Sequence, residues 1–291
     1  MSESGVTAMT MPTVSLIITT YNRPAALDRV LASVARQTSL PEQVIIADDG
    51  SDAKTTAVVN RWRPTFGDRL LHAWQPDDGF RAGAARNRAA RDATGDLLVF
   101  IDGDCLLRPR LVAEHRRLAE PGCAVAGNRI LLSPLLTERI ERGETDPLAW
   151  QPGDWLRALR AGDVGRLSPL LTLPGHAWRR LRSRHWLQAR TCNLAVSRTD
   201  FERVNGFEEH ISGWGFEDSD LAIRLINAGI RLKSGRFATA VLHLWHRERP
   251  RDDAEQNRQR ALAARRNGVI AADLGLRQRA ADDRYDPPCD R

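Results

Sequence analysis

Short apolar runs that end in polar clusters alternate with helix-period segments through the first part of this chain. No other feature restricts the fold as tightly. "TVSLIITTYN" over 13–22 is followed by Pro24 and then by Leu27, Val30, Leu31 and Val34 at i, i+3, i+4, i+7, a strand and a helix. "EQVIIADDGS" over 42–51 reads as a second strand, 53–62 as a helix, and "DRLLHAWQ" over 68–75 as a third strand. "AGAARNRAARDA" over 82–93 is an alanine-rich helix with Gly95 just past its end. "DLLVFID" over 96–102 is a fourth strand, and Pro109 begins a helix over 108–120. Strands alternating with short helices imply βαβ units and a mostly parallel sheet. The continuous apolar stretches "VSLII" and "LLVFI" fit a sheet covered on both faces.

Open α/β sheets bind ligands beyond the carboxyl ends of their strands. Thr19 to Arg23, Asp48 to Ser51 and Asp102 to Asp104 are therefore expected to converge on one rim. From 133 to 187 the pattern dissolves, broken by Pro134, Pro147, Pro152, Pro169 and Pro174 and punctuated by four tryptophans, and an irregular segment is expected. Order returns over 189–207. "GWGFEDSDLAIRLINAGI" over 213–230 holds a helix marked by Leu221, Arg224, Leu225 and Ala228 and stopped by Gly229. Residues 231–246 have strand character, and the charged tail from 250 is expected to be helical to about 275 and loose beyond.

Several classes are disfavoured. No run approaches the ~18 apolar residues that span a bilayer, and the N-terminus has no basic segment leading into an apolar one. The cysteines Cys105, Cys123, Cys192 and Cys289 form no C-x-x-C pair, so neither a zinc site nor a disulfide framework is indicated, and a reducing cytoplasm fits. The net charge of +6 is compatible with nucleic acid, anionic lipid or a phosphorylated substrate, but no nucleic-acid-binding signature accompanies it. No G-x-G-x-x-G follows the first strand and no P-loop is present.

Asp102-Gly103-Asp104 admits two readings: carboxylates for a divalent cation on a diphosphate, with glycine permitting close approach, or an acidic turn. Asp48 and Asp49 in "ADDGS" read either as acceptors for a base or ribose or as a turn. Arg81, Arg86 and Asn87 open a helix and suit phosphate, whereas Arg88 and Arg91 are expected on a solvated face. In "GWGFEDSD", Glu217 and Asp218 fall at a helix start, where a carboxylate can serve as a base, or simply cap the helix. Trp214 between two glycines suits a sugar ring or a core. His243 and His246 follow a strand, and either could add a nitrogen to a cation site, favouring Mn²⁺ over Mg²⁺.

Taken together, "VSLIITTYNRPAALDRVLASVARQT", "VIIADDGSD", "GAARNRAARDATGDLLVFIDGD" and "NLAVSRTDFERVNGFEEHISGWGFEDSDLAIRL" resemble family 2 glycosyltransferases of the GT-A fold. The "GWGFED" element also resembles the C-terminal part of galactosyltransferases and bacterial chondroitin-type polymerases. The resemblance implies a Rossmann-like, mostly parallel mixed sheet flanked by helices and an inverting, metal-dependent, hexosyltransferase-type activity using Mn²⁺ or Mg²⁺. By the same resemblance, Thr19 and Asp49 contact uracil with Tyr21 and Arg23 nearby, Arg81 lies by the nucleotide, and Asp102 approaches the ribose and donor sugar. Asp104 binds the metal with His243, or alternatively His246. Asp218 is the catalytic base, with Trp214 and Glu217 shaping the donor and acceptor sugar sites. The implied partners are a nucleotide-sugar donor, a UDP-sugar by family likeness alone, and a glycan or lipid-linked acceptor of surface polysaccharide or glycoconjugate biosynthesis.

The expected organisation is a flexible N-terminus over 1–12, a nucleotide-sugar-binding half over 13–132, and an irregular acceptor-side insertion over 133–187. An acceptor and catalytic half over 188–249 and a charged tail over 250–291 follow. Neither a Q-x-x-R-W motif nor membrane helices follow the core, so a single transfer is expected, not polymer synthesis. A cytoplasmic location, with peripheral contact at an anionic inner leaflet through the basic C-terminal half, is expected. The competing readings are a sugar-1-phosphate nucleotidyltransferase and a non-catalytic nucleotide- or glycan-binding relic.

Overall fold

A computed structural model describes residues 11–175, 177–247, 251–278 and 287–288. The expected flexibility of 1–10 and most of the loose end of the tail, including Cys289, lie outside the described residues. The first half alternates as the sequence requires: β1 (Val14–Thr20), α1 (Pro24–Ala35), β2 (Gln43–Asp48), α2 (Ala53–Phe66), β3 (Leu70–Trp74), α3 (Ala82–Arg91) and β4 (Leu97–Asp102). β5 (Cys105–Leu107), α4 (Leu111–Leu118), β6 (Cys123–Ala126) and β7 (Asn128–Leu131) follow. Then come α5 (Pro134–Glu141), α6 (Pro152–Arg160), β8 (Asn193–Ser197), α7 (Arg198–Arg203), α8 (Glu217–Asn227), β9 (Arg231–Ser234), β10 (Ala240–His243) and α9 (Ala254–Arg266).

Seven strands form one sheet in the order β3-β2-β1-β4-β8-β6-β9, and β5-β10-β7 form a second. In the large sheet β8 runs antiparallel to β4 and β6, and the other pairings are parallel. Both faces of its centre are buried. Leu16, Ile18, Val44, Ile46, Val99 and Ile101 face the core that contains Leu27, Val30 and Leu31 of α1. Their neighbours Ile17, Ile45, Leu98 and Phe100 face the opposite core with Ala85 and Ala89 of α3 and Leu221 and Leu225 of α8. Each buried Leu, Ile or Val contributes roughly 1.5–3 kcal/mol, which fixes the strand register and therefore the rim.

Four expectations need correction. Residues 133–187 are not irregular throughout, because Pro134 and Pro152 start helices instead of breaking them. Each sits at the first helical position, where the missing N–H costs nothing. Ser133 Oγ accepts from Leu136 N (3.1 Å), and Gln151 N donates to Asp154 Oδ2 (2.8 Å) at these two starts. The helix expected from Pro109 begins at Leu111, after a turn in which Leu111 N donates to Arg108 O. The 231–246 stretch is two strands in different sheets, divided by a turn at Gly235 whose N–H donates to Ala126 O. Arg88, expected on a solvated face, is buried.

Candidate functional site

The strand register brings the polar ends together. Thr19 of β1 is the neighbour of Asp102 of β4, and Thr20 that of Asp48 of β2. The chain passes from Asp102 to Asp104 directly over β1. A Cβ on Gly103 would stand 2.9 Å from Thr19 O and 3.1 Å from Thr20 Cβ, so only glycine fits without a shift. Asp48 is structural: its carboxylate accepts from Ser51 N (2.8 Å) and pairs with His72 Nε2 (2.9 Å).

Asp49 faces a different corner of the rim. Its oxygens accept from Gln75 Nε2 (2.7 Å) and from the backbone N–H of Arg81 (2.8 Å). Arg81 in turn donates to Pro76 O, and Tyr21 Oη donates to Asp77 (2.8 Å). Tyr21, Asp49 and Arg81 thus gather on the side of the β2 and β3 ends.

Asp104 lies on the opposite side. His243 Nε2 is 3.6 Å and His246 Nε2 3.7 Å from its carboxylate oxygens, and one ligand atom from each of the three lies within 4.8 Å of the others. Burial lowers the pKa of His243 although Asp104 opposes this, so its imidazole is neutral and can offer a lone pair. One carboxylate and two imidazoles are a donor set suited to a first-row divalent metal, Mn²⁺ ahead of Mg²⁺. Arg23 sits here, not at the nucleotide-base side: Nη1 is 3.0 Å from Asp104 Oδ2, and Nη2 is 2.7 Å from Glu141. A guanidinium already compensating Asp104 marks the spot as one that draws positive charge.

Glu217 and Asp218 occupy the first turn of α8. The loop before it takes positive φ at Gly213 (73°), Gly215 (99°) and Phe216 (70°), a sharp reversal that brings this turn to Arg86, 3.6 Å from Glu217. Burial raises both carboxyl pKa values, and Asp218 beside it helps push Glu217 up to about 7. Asp218 accepts from Ser219 Oγ (3.2 Å), and Arg190 Nη1 approaches it to 3.7 Å. Asp220 is structural, buried against Arg224. The Trp214 ring is covered by the guanidinium of Arg251, 4.7 Å from its centroid.

Arg86 connects these groups. Its Nε donates to Thr19 Oγ1 (2.9 Å), Nη2 pairs with Asp102 Oδ1 (2.9 Å), and Nη1 is 3.6 Å from Glu217 Oε1. The guanidinium stacks over Phe207 at 5.5 Å, and the residue is 3% exposed. Sequence reading notes Arg86 as suited to phosphate but does not give it this role. In "AARNRAAR" it looks like Arg88 and Arg91, and only the helix phase relative to Thr19 separates them.

Comparison with known proteins bears on the family and the fold. Residues 15–154 match the model for "Glycosyl transferase family 2", and 180–247 match that for the "N-terminal domain of galactosyltransferase". A validoxylamine A glucosyltransferase of Streptomyces hygroscopicus subsp. limoneus is 34% identical over 243 residues, covering 79% of this chain and 51% of the relative. The chain therefore spans about half the length of that relative. The mannosyltransferase PcManGT from Pyrobaculum calidifontis, solved with GDP-Man and Mn²⁺, superposes with TM-score 0.55 at 22% identity over 90% of this chain and 65% of that one. S. aureus TarS 1-349 in complex with UDP gives 0.62 at 15% identity over 91% and 68%. Those neighbours establish the GT-A fold.

Proposed function

Since the chain belongs to glycosyl transferase family 2, we propose that it moves a hexose from a nucleotide-sugar, a UDP-sugar in the first instance, to a hydroxyl of a glycan or lipid-linked glycan in surface polysaccharide or glycoconjugate synthesis. The observation that carries this reading is the Arg86 bridge. It ties Asp102, two residues from Asp104, to Glu217, the neighbour of Asp218. The carboxylates we assign as base and as cation ligand thus lie near one shared cation, Arg86.

The chemistry follows from that placement. Thr19, Tyr21, Asp49 and Arg81 take the nucleoside, and Asp102 the ribose and donor sugar. Asp104 with His243 and His246 would hold Mn²⁺ or Mg²⁺, which when bound supplies charge neutralisation for the leaving diphosphate. Asp218 takes the proton of the acceptor hydroxyl. The hydroxyl oxygen bonds to the anomeric carbon from the face opposite the diphosphate, and the bond from that carbon to the phosphate oxygen breaks, its electron pair leaving with the diphosphate. One displacement inverts the configuration and needs no covalent enzyme intermediate. Glu217 and Trp214 shape the sugar site, and 133–187 with its helices α5 and α6 forms the acceptor side.

Transfer of a single sugar, in the cytoplasm, is part of the same reading. No helix among the described residues is long and apolar enough to cross a membrane. Helix α6 exposes Leu156 and Leu159 and carries Arg157 and Arg160, a composition suited to peripheral contact with an anionic leaflet. Co-sedimentation with anionic vesicles that is lost in high salt is the expected result, and no binding to such vesicles contradicts that contact. The activity itself is tested by screening UDP- and GDP-sugars for thermal stabilisation with Mn²⁺. The best donor is then assayed for release of nucleoside diphosphate. Stabilisation by no nucleotide-sugar contradicts the reading.

A further inference from the structure

Among the described residues, Arg129 is a cation near His243 with no carboxylate partner within 4.0 Å. It lies on β7, in the small sheet that carries His243. Register pairs Arg129 with Val241 and Leu131 with His243, so Arg129 and His243 project from the same face, two residues or roughly 6.6 Å apart along the strands. Cys105, next to the cation-binding Asp104, is the partner of His243 on the other side. The guanidinium is partly buried.

Other buried arginines of this protein show what such a group requires. Arg179 donates to the carbonyls of Leu173, Gly175, Ser234 and Arg236. Arg224 has Asp220 and the carbonyls of Val204 and Gly206. Arg86 has Thr19 and Asp102. Among the described residues, by contrast, Arg129 has no carboxylate within 4.0 Å, and its side chain makes one hydrogen bond, from Nη1 to Cys192 Sγ at 3.6 Å. A thiol is a weak acceptor, so among the described residues the remaining donors of this half-buried guanidinium have no protein partner; they reach solvent and are available to an anion.

Its electrical surroundings locate it further. Burial opposes the charge of Arg129, and the Asp102 carboxylate favours it. Arg129 therefore lies on the His243 side of the site by strand register and within electrostatic reach of the carboxylate that Arg86 anchors.

We propose that Arg129 is a phosphate-binding residue. Its free donors engage non-bridging oxygens of the diphosphate, on the side of His243 and remote from the nucleoside side at Asp49 and Arg81. The proposal rests on the reading of the site as one for a nucleoside diphosphate. A planar guanidinium fits a phosphate through two parallel hydrogen bonds, which an ammonium cannot reproduce. In the transfer step this group would meet the charge that builds on the departing diphosphate.

The test compares UDP with uridine, and GDP with guanosine, binding to the full chain in the presence of Mn²⁺ by calorimetry, for wild type, Arg129→Met and Arg129→Lys. Melting temperature is followed for all three. The expected result is that Arg129→Met binds the diphosphate about ten- to hundred-fold more weakly and the nucleoside as wild type does, with Arg129→Lys in between. Unchanged nucleoside affinity shows that the variant is folded. Should Arg129→Met be too unstable to measure, the same comparison on Arg129→Lys decides, with a several-fold loss expected for the diphosphate alone. Equal diphosphate affinity in variant and wild type overturns the proposal. So does a variant that binds UDP normally but loses UDP-glucuronate relative to UDP-glucose, since Arg129 would then read a sugar carboxylate. If the wild type binds neither diphosphate, the reading of the site fails, and the proposal fails with it.

Discussion

Nη1 of Arg86 stands 3.6 Å from Oε1 of Glu217, while Nη2 of the same guanidinium holds Asp102 Oδ1 at 2.9 Å. One buried cation thus joins the end of a central strand to the first turn of α8, segments separated by more than a hundred residues of chain. Arg86→Met leaves two carboxylates without their shared partner. A loss of about 3–5 kcal/mol is expected at pH 7.5, with a smaller loss at pH 5, where Glu217 is protonated. Urea unfolding at the two pH values measures it, and an equal loss at both would place the role of Arg86 elsewhere.

Glu217 itself makes stability depend on pH. Burial and the neighbouring Asp218 raise its carboxyl from the ordinary 4.5 to about 7. Between those values the folded protein holds a proton that the unfolded chain has released, so stability falls as pH rises from 4.5 towards 7 and then levels off. Glu217→Gln removes this slope. The variant should gain stability relative to wild type above pH 7, on the order of 2 kcal/mol, as read from melting curves over pH 4.5–8.5. The acid limb of the rate profile, which belongs to the Glu217–Asp218 pair, should also move to lower pH in the variant.

The proposed cation site orders its candidate ligands by burial. His243 is 7% exposed, whereas His246 is exposed. The buried ligand is fixed before binding, so His243→Ala should weaken Mn²⁺ binding more than His246→Ala does, by about ten-fold or more for the former. Calorimetric titration with Mn²⁺ in the absence of nucleotide tests this. The reverse ranking would make His246 the principal imidazole ligand.

Much of this site is legible in the sequence because hydrophobic burial fixes it. Apolar stretches ending at Thr19, Asp48 and Asp102 must lie in the sheet, and a parallel sheet brings such ends to one rim. Asp104, His243 and His246 come within 4.8 Å of one another, whereas the sequence left open which histidine joins Asp104. What escapes notice depends on long-range geometry. Arg86 differs from Arg88 and Arg91 only in the direction its helix gives it. Arg23 follows the first strand, which points to the nucleotide, yet its long side chain reaches Asp104 and Glu141 instead. Helices α5 and α6 carried readable start signals in Ser133-Pro134 and in Gln151-Pro152 with Asp154. A proline at a helix start and a proline that breaks one look alike until the capping side chains are considered.

Gly103 is predicted to tolerate no side chain. The Cβ of Gly103→Ala would meet Thr19 O at 2.9 Å, a backbone atom in a central strand that cannot retreat. A loss of about 1–3 kcal/mol is expected from overpacking, together with weaker Mn²⁺ binding because Asp104 is displaced. A variant with wild-type melting temperature and Mn²⁺ affinity would show that the turn has slack.

The most direct measurement is made on Asp218→Asn, pairing a donor-binding isotherm in Mn²⁺ with the rate of sugar transfer. The account predicts donor affinity within about three-fold of wild type and a rate reduced by roughly 10²–10⁴-fold, the range a positioned general base supplies. Transfer at the wild-type rate would contradict it.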